Sequence, residues 1–410
     1  MKNKLNLTTK ILIGLIAGII IGLLFTSNPA FLDTFIKPVG TLFINLIKLV
    51  IVPLVLASLI VGAASIGDPK KLGRIGGKTL SYYLLTTAFA VTIGLVLGKI
   101  FNPGAGLSIP TDAAAEATVA PKLIDTVLNI VPSNPLKAIV DGNMLQIIVF
   151  ALLLGIAVTM LPKEKGKPFV SFFESLAEIM YKITAIVMEL APYGVFALIA
   201  PVVAKNGPAV LIPFIKVIIA VYFGCVLHAV MVYSPLVSVF GKMNPIKFFK
   251  GIAPAAMTAF STSSSAATLP VSMKNVTENL GVSEKVASFV LPLGATINMD
   301  GTALYQGVCT LFIAQVYGVD LTMAQMGTVV LTATLASIGT AGVPGAGLIM
   351  LTLVLQSIGL PLEGVALIAG IDRILDMMRT CVNVVGDTSA AVIVAASEKE
   401  ISVPVDQLTA

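Results

Sequence analysis

One sixteen-residue segment limits what this chain can fold into. It reads DRILDMMRTCVNVVGD (372–387) and lies between two apolar runs, EGVALIAGI before it and TSAAVIVAAS after it. Five of its charged and amide residues recur at intervals of four, three, four and four, which places them within roughly an 80° arc of one helix face. This stripe consists of Asp372, Asp376, Arg379, Asn383 and Asp387. Arg373 lies off the stripe.

The composition of the chain indicates whether this segment is surrounded by water or by lipid. The chain is 57% hydrophobic and only 11% charged, whereas charged residues make up about a quarter of a soluble domain. It is therefore predicted to be a polytopic membrane protein. A charge at the centre of a bilayer costs roughly 2.5 to 3.5 kcal/mol, so the stripe must face protein, water or a ligand. One alternative is a buried structural network, with Asp376 paired to Arg379 and Asp372 to a lysine elsewhere.

The remaining composition excludes several classes. The net charge is +5, yet arginine occurs only at positions 74, 373 and 379 and no basic patch is interleaved with aromatics, which argues against nucleic acid as a partner. Three widely spaced cysteines indicate neither a disulfide framework nor a metal site. His228 is the only histidine, and in an apolar run it is more typical of a packed helix residue than of a functional one.

The first half of the chain contains long apolar segments, each near the roughly 20 residues that a span requires. Candidate spans are 11–27, 38–66, 79–101, 144–162, 170–203 and 209–240. Basic loops at 67–78, 163–167 and 241–250 fall on the same side as Lys2, Lys4 and Lys10. The positive-inside pattern therefore places the N-terminus in the cytoplasm and the segment 102–142 outside.

Beyond residue 250 every apolar segment is interrupted. The interruptions are STSSSAAT (261–268), TINMDGT (296–302), SIGTAGVPGAG (337–347) and the charged stripe. Irregular backbone at membrane depth survives only where it is buried in protein or lines a cavity. The pattern predicts a binding site near mid-membrane, built from two copies of a re-entrant hairpin followed by a helix.

Each interruption also has its own chemistry. Asn298, Asp300 and Thr302 offer hard oxygen ligands, and Gly301 permits an unwound backbone, which predicts a cation site; the alternative is a glycine kink with incidental polar residues. The backbone amides of the serine run could bind a carboxylate, although serines also soften membrane helices. Gly342 to Gly347 contain the VPGAG run, which predicts either a flexible gate or a structural turn.

The motifs STSSSAATLP, NMDGTALYQ, GTAGVPGAG and DRILDMMRTCVNVVGD, in this order, resemble those of the glutamate transporter homologues, the dicarboxylate/amino acid:cation symporter family. YYLLTTAFAVT (82–92) fits as well, and the resemblance covers essentially the whole chain. It implies an all-α polytopic membrane protein with eight transmembrane helices, two re-entrant hairpins, inverted repeats, elevator-type transport and a homotrimeric assembly. The implied domains are 1–78 and 143–205 (scaffold), 79–142 (third helix and extracytoplasmic loop), 206–244 (sixth helix), 245–398 (transport core) and 399–410 (cytoplasmic tail).

The resemblance also implies residue roles. Arg379 would bind the side-chain carboxylate of the substrate, since its planar fork suits a carboxylate. Asp376 would bind the α-amino group. The α-carboxylate end and the rest of the substrate would be held by Asn383, Thr302, Ser264, Ser265, Val343, Gly347 and Thr380. The gate would comprise Gly342, Val343, Pro344, Gly345, Ala346 and Gly347.

Three sodium sites are implied in the same way. The first set of ligands is Asp387, Asn383, Asn298 and the backbone at Gly294. The second set is Tyr83, Thr86, Thr87, Asn298 and Asp300. The third consists of the backbone carbonyls of Thr296, Met299, Ser337, Ile338 and Thr340. Sodium would be the transported coupling ion, and no organic cofactor is expected.

Comparison with relatives narrows the substrate. Asp376 implies an amino group on the substrate, Arg379 implies an acidic side chain, and Gln306 favours sodium coupling without proton countertransport. Relatives often carry an additional arginine at the positions of Ser263 or Met377, and both are absent here. The empty site is therefore expected to be over-negative, so that cations favour substrate binding.

The predicted function is sodium-driven uptake of L-aspartate or L-glutamate across a prokaryotic plasma or inner membrane. Alternatives are a proton-coupled glutamate or C4-dicarboxylate symporter, a membrane-embedded aspartyl protease and an ion channel. An enzyme is disfavoured because Asp372 and Asp376 share one helix and no metal-binding histidine pair exists.

Overall fold

The described part of the chain is helical. The computed structural model describes residues 7–65, 69–107, 131–338, 340, 342 and 344–402. Over these residues no strand forms, and the only β-type pairing is an isolated bridge between Val282 and Ile401. In the first half the helices are α1 (Leu7–Leu24), α2 (Pro29–Phe35), α3 (Lys37–Ser65), α4 (Pro69–Phe101), α5 (Pro135–Asp141), α6 (Met144–Thr159), α7 (Lys163–Glu189) and α8 (Ala191–Asn206).

The second half continues with shorter helices. They are α9 (Leu211–His228), extended by a π-turn (Ala229–Tyr233) into α10 (Ser234–Val239), then α11 (Pro245–Thr262), α12 (Ser265–Lys274), α13 (Glu284–Ile297), α14 (Asp300–Val316), α15 (Met323–Ser337), α16 (Ala346–Ser357), α17 (Val365–Ala369) and α18 (Asp372–Glu398). The all-helical fold class is confirmed.

Several described helices are long and apolar enough to cross a membrane. Four qualify individually, at Lys37–Ala64, Arg74–Phe101, Leu211–Val239 and Asp372–Glu398. A fifth qualifies if Lys163–Glu189 and Ala191–Lys205 are taken as one span bent by 52°. The predicted uninterrupted span 170–203 is therefore wrong. It bends at Leu190, where Pro192 removes a backbone N–H donor just inside α8.

Two predicted loops are also wrong. The segment 67–78 is helical from Pro69 onward, and the segment 163–167 is the first turn of α7. Proline at the first helical position is pre-organised for a helix, and lysine, arginine and leucine are strong helix formers. Basic composition marked these segments as connections, but it does not oppose helix formation. The predicted extracytoplasmic loop 102–142 contains α5, and its residues 108–130 lie outside the described part.

Glycine seams hold two helix pairs together. Gly14, Gly18 and Gly22 recur every four residues on α1 and meet α8, where a Cβ added at Gly18 would lie 3.0 Å from the carbonyl oxygen of Phe196. On α4, Gly94 and Gly98 meet α14 in the same way, and a Cβ at Gly94 would collide with the carbonyl of Leu304. Small residues let the backbones of membrane helices approach closely, which drives their association where lipid offers no hydrophobic gain.

Three of the predicted interruptions occur as breaks between helices, whereas the charged stripe 372–387 lies within the continuous helix α18 and follows a short break. The chain leaves helical geometry at 263–264, at 298–299 and at 370–371, and α15 ends at Ser337 whereas α16 begins at Ala346. At the first break Ser263 adopts a left-handed conformation, with φ of 52°. Beyond it α12 runs back along α11, since Ala255 N donates to Asn275 Oδ1 at 2.9 Å and Asn279 Nδ2 donates to the Gly251 carbonyl at 2.7 Å.

The α15–α16 pair has the same form. Across its break, Val329 and Val354 share one apolar cluster, which Met326 and Ile358 also contact. The two segments therefore pack alongside each other in opposite directions. The second half thus contains two antiparallel helix pairs, each followed by a broken helix.

The C-terminal end is fastened to two other helices. Residues 398–402, the C-terminal strap, follow α18 and pair with the loop before α13: Ser402 N donates to the Gly281 carbonyl at 2.7 Å. Lys285 Nζ lies 3.1 Å from Glu400 Oε1, and this contact holds the pKa of the Glu400 carboxyl below its usual range. Glu398 accepts from Arg74 at 2.5 Å and from Lys78 at 2.7 Å, which ties the strap to α4.

Candidate functional site

The breaks of the two helix pairs meet each other. The Gly342 carbonyl, in the α15–α16 break, accepts from Ser264 Oγ at 2.7 Å and from Ala266 N at 3.2 Å, both at the start of α12. The break between α13 and α14 meets α18, because Gly301 N donates to Asn383 Oδ1 at 2.8 Å. Irregular backbone from three segments therefore surrounds the charged face of α18, as the interrupted pattern predicted.

Arg379 is the centre of this face. Its side chain is 1% exposed and lies over the ring of Tyr305, 4.5 Å from the centroid. Its guanidinium donates to both oxygens of Asp372, at 2.6 and 3.3 Å, and through Nε to Asp376 Oδ1 at 2.9 Å. The alternative that paired Asp372 with a distant lysine is wrong, because Arg379 itself reaches both carboxylates along one helix face.

Asp376 has partners on both of its oxygens. Oδ1 accepts from Arg379 and from Thr380 Oγ1 at 3.2 Å. Oδ2 accepts from Gly345 N at 3.0 Å and lies 3.8 Å from Arg373 Nη1. Arg373 lies off the stripe in sequence, but its long side chain bends back to reach Asp376. Two carboxylates therefore face two guanidiniums here, so this part of the site is balanced in charge and not over-negative.

A small cavity adjoins these groups. Its volume is about 10 Å³, roughly the space of one water molecule. Its lining residues are Ser263, Ser265, Met299, Thr302, Thr340, Gly342, Ala346, Gly347, Asp376, Arg379, Thr380 and Asn383. At Gly347 a Cβ would lie 2.6 Å from Arg379 Cζ, so only glycine fits beside the guanidinium.

The structure thus brings most of the predicted substrate residues together. Ser264 stands next to the cavity, with its hydroxyl on the Gly342 carbonyl. Asn383 Nδ2 donates to Thr302 Oγ1 at 3.2 Å. Of the predicted gate residues, Gly345 has a left-handed backbone, with φ of 85°. Val343 lies outside the described residues.

The first predicted sodium set also converges. Asn298 Nδ2 donates to Asp387 Oδ1 at 2.9 Å and to the Asn383 carbonyl at 3.2 Å. A Cβ at Gly294 would lie 2.5 Å from Asp387 Oδ1, so the Gly294 backbone closes the same pocket. Asn298 Oδ1 is buried and has no hydrogen-bond partner within the described chain. A buried amide oxygen beside a carboxylate fits a hard cation.

The second set is centred on Asp300, which is fully buried. Thr87 Oγ1 donates to Asp300 Oδ1 at 2.6 Å, and Tyr233 OH donates to Oδ2 at 2.7 Å. His228 Nε2 lies 3.3 Å from the same Oδ2. Among the residues that the structure describes, no lysine or arginine pairs with Asp300 or Asp387, so these two carboxylates are where negative charge is in excess.

Two other predicted ligands of this set are less direct. Tyr83 OH donates to the Val290 carbonyl at 3.0 Å and lies beside Gly294, between the two sets. Thr86 Oγ1 donates back to its own helix, at 3.1 Å from the Tyr82 carbonyl.

No hydrogen bond among the described residues joins the members of the third set in the α13–α14 segment to those in the α15–α16 segment, although Met299 and Thr340 line the same cavity. The Met299 carbonyl accepts from Ala303 N at 2.8 Å, and the Ser337 carbonyl accepts from Thr340 N at 3.3 Å. Both therefore serve local helix or turn bonds. A cation held by these carbonyls, with those of Thr296, Ile338 and Thr340, stays a prediction.

Sequence reasoning left out five residues that the structure places at these sites: Asp372 as a site residue, Arg373, Tyr305, His228 and Tyr233. Tyr305 could have been found, because it lies one helical turn after Gly301 and faces the same helix, α18. His228 could not, because its partner Asp300 is 72 residues away in sequence.

Comparison with known proteins identifies the family. The profile described as the sodium:dicarboxylate symporter family matches residues 7–397. The chain is 41% identical over 401 residues to the proton/sodium-glutamate symport protein of Geobacillus stearothermophilus, covering 96% of this chain and 94% of that protein. It is 38% identical over 411 residues to the proton/glutamate-aspartate symporter of Escherichia coli (strain K12), with coverage of 96% and 94%. It is 34% identical over 410 residues to the C4-dicarboxylate transport protein of Bacillus subtilis (strain 168), with coverage of 98% and 95%.

These relatives are transporters and not enzymes, which confirms the prediction that the chain has no catalytic site of its own. Together with the apolar helices, they make this a multi-pass membrane transporter. The match extends over nearly the whole chain and includes all four interrupted segments. This chain belongs to the sodium:dicarboxylate symporter family.

Proposed function

We propose that this protein is a secondary active symporter that takes up L-aspartate or L-glutamate and is driven by the sodium gradient. The observation that carries the proposal is Arg379, a buried arginine that is held by two aspartates beside a cavity. A structural ion pair needs one carboxylate for one guanidinium. Here Asp372 can be exchanged for a carboxylate of the ligand, because Arg379 lines the cavity.

Substrate binding would then replace carboxylate–guanidinium contacts within the protein by the same kind of contact with the ligand. The ligand's side-chain carboxylate takes the place of Asp372 on the Arg379 fork, and a bidentate pair is replaced by a bidentate pair. The ligand's ammonium binds Asp376. Asn383 and Thr302, with the amides near Ser264 and Ser265, hold the α-carboxylate end. The ligand carboxylate and the ligand ammonium thus each meet a buried opposite charge, and Asp372 gives up its pairing with Arg379 when the ligand binds.

Entry of the ligand requires the Gly342–Gly347 segment to move. A cavity of about 10 Å³ has room for one water and not for an amino acid. Gly345 N donates to Asp376 Oδ2, so the segment closes over the carboxylate that the ammonium must reach. Its glycines supply the backbone freedom for this movement. The segment therefore acts as the gate.

Sodium binds beneath the substrate. Asp387 and Asp300 are buried without a lysine or arginine partner within the described chain, and Asn298 Oδ1 faces no donor there. Cations that neutralise these carboxylates also order Asn298 and Asn383, and Asn383 borders the substrate cavity. Sodium therefore raises substrate affinity and substrate raises sodium affinity by the same factor. This reciprocity couples uptake to the sodium gradient.

We also propose the membrane arrangement that the resemblance to the family implies. Eight spans cross the bilayer, and the α11–α12 and α15–α16 pairs are re-entrant hairpins. The N-terminus is cytoplasmic, three copies assemble through scaffold helices (1–78 and 143–205), and the remaining helices carry the site across a prokaryotic plasma or inner membrane as an elevator. The contacts that join α11–α16 and α18 around one cavity support the treatment of 245–398 as one transport core.

A second candidate is a proton-coupled symporter of glutamate or of a C4-dicarboxylate. It is favoured by the relatives, because the Escherichia coli protein is named a proton/glutamate-aspartate symporter and the Bacillus subtilis protein a C4-dicarboxylate transport protein. It differs from the first candidate in the coupling ion and in the need for Asp376.

The deciding experiment is uptake of labelled L-aspartate into proteoliposomes that contain the purified protein, with either an inward sodium gradient or an inward proton gradient. We expect uptake with sodium alone. Uptake with protons alone would keep the substrate assignment and overturn the sodium sites. Uptake of labelled succinate but not of aspartate, under either gradient, would overturn the amino acid assignment.

A further inference from the structure

Arg373 has no role in the function proposed above, yet it lies at the site. Its Nη1 is 3.8 Å from Asp376 Oδ2, and its side chain is only 17% exposed. It lines a second cavity together with Asp376 and the gate residues Pro344 and Gly345. A second guanidinium is thus held behind the carboxylate that faces the gate.

The two oxygens of Asp376 are not equivalent. Oδ1 is held by groups on α18 itself, Arg379 and Thr380, which keep their positions when the gate moves. Oδ2 accepts from the gate through Gly345 N. When the gate opens this donor leaves, and Oδ2 becomes the oxygen that an incoming ammonium can take. Oδ2 is also the oxygen that faces Arg373.

An ammonium bound at Oδ2 therefore approaches Arg373. With a hydrogen bond of about 2.8 Å to Oδ2, its nitrogen would lie within roughly 7 Å of the Arg373 guanidinium. Two positive charges at this distance, in a site from which water is largely excluded, repel each other appreciably. The carboxylates of the ligand are attracted by the same guanidinium, so the effect of Arg373 on total affinity has two opposing parts.

These parts separate when two ligand classes are compared. An acidic amino acid and a C4-dicarboxylate both carry two carboxylates, and they differ by the ammonium. Attraction between Arg373 and the carboxylates is common to both and cancels in the ratio of their affinities. Repulsion of the ammonium does not cancel.

We propose that Arg373 is a specificity-determining residue that disfavours the ammonium of an amino acid at Asp376. It thereby lowers the ratio of the affinity for acidic amino acids to the affinity for C4-dicarboxylates. The inference rests on the proposed function, since it takes the ammonium to bind Asp376. Arg373 thus supplies a positive charge near the site, although this chain has no arginine at position 263 or 377, where relatives often carry one. Relatives of both substrate classes match the chain.

The test is calorimetric titration of the purified full-length protein with L-aspartate and with succinate, at saturating sodium. The variants are Arg373→Gln, which removes the charge, and Arg373→Lys, which keeps it. We expect the ratio of the succinate Kd to the aspartate Kd to rise about ten- to fiftyfold in Arg373→Gln, the order given by two charges about 7 Å apart at an effective dielectric constant of ~20 to 40. We expect the ratio to stay within about threefold of wild type in Arg373→Lys.

The outcomes separate the two proposals. Binding of aspartate by the wild type with an unchanged or lower ratio in Arg373→Gln overturns the role of Arg373 and leaves the proposed function standing. An equal rise in Arg373→Lys overturns it as well, because the effect would then come from shape and not from charge. Binding of neither ligand by the wild type overturns the proposed function, and this inference with it. If Arg373→Gln does not fold, Arg373→Met is the second neutral variant, with the same expected ratio.

Discussion

Replacement of Arg379 by methionine removes the charge that two buried aspartates share. Methionine keeps much of the apolar volume of the arginine stem, so the variant tests charge more than packing. Asp372 and Asp376 would each lose their closest donor in the interior, where both are buried. Removing one partner of a buried pair costs about 3 to 5 kcal/mol, because the remaining charge stays uncompensated. We expect a loss of stability at the upper end of this range, since Arg379 is the closest charged partner of both carboxylates.

The chain offers a matched control. Arg74 also forms a short ion pair, with Glu398 at 2.5 Å, but its side chain is 72% exposed. Because water reaches and screens the Arg74 guanidinium, although the Glu398 side chain is only 10% exposed, we expect this pair to contribute about 0 to 1 kcal/mol. Arg74→Met should therefore change stability by less than 1 kcal/mol, although the ion pair that it removes is as short as the one between Arg379 and Asp372. The double variant Arg379→Met/Asp372→Asn should recover part of the loss, because one of the uncompensated charges is gone.

Thermal unfolding in detergent, followed by circular dichroism at 222 nm, measures these differences. The chain has no tryptophan, so its intrinsic fluorescence is a weak probe. We expect a melting temperature several degrees lower for Arg379→Met than for Arg74→Met, together with loss of aspartate uptake in proteoliposomes. Equal melting temperatures for the two variants, or unchanged aspartate uptake in Arg379→Met, would refute the argument that buried charge at Arg379 holds the site together.

Two further perturbations test the backbone and the cation pocket. Gly301→Ala should lower the melting temperature and weaken aspartate binding, because its Cβ would collide with the backbone of Arg379 and force α14 from α18 at a cost of about 1 to 3 kcal/mol. The control is Gly77→Ala, in a helix with open space around this position. Equal effects of the two substitutions would contradict the steric reasoning. Asp387→Asn should raise the sodium concentration for half-maximal aspartate binding at least tenfold, because the cation loses a buried, charged coordinating group. The control Asp33→Asn, in the ion pair with Lys205, should leave this concentration unchanged. An unaltered sodium titration in Asp387→Asn would show that this carboxylate does not bind the cation.

The sequence predicted the breaks in the second half well, and the reason is local chemistry. Gly342, Pro344 and Gly345 disfavour a helix, and α15 ends at Ser337 whereas α16 begins at Ala346. Asn298 and Asp300 indicated a second break, because polar residues inside an apolar run require hydrogen-bond partners. Periodicity also placed Arg379 on one face with the aspartates that it contacts.

What sequence could not supply was the reach of individual side chains and the behaviour of basic segments. Arg373 is off the charged stripe by angle, yet rotation about its side-chain bonds brings the guanidinium to Asp376. His228 meets Asp300 only through the packing of α9 and its π-turn against α14. The segment after Pro69 was expected to be a loop because of its charge, although its residues favour a helix and Arg74 finds Glu398 across the fold.

The C-terminal strap gives the end of the chain a mechanical function. Residues 398–402 fasten the start of α13, the end of α18 and the start of α4 at one place, and the same three helices carry Asn298, Asp387 and Thr87 at the cation pocket. A pull on the strap is therefore transmitted along stiff helices to the pocket. An affinity tag or fluorescent fusion joined directly at residue 402 would load this linkage.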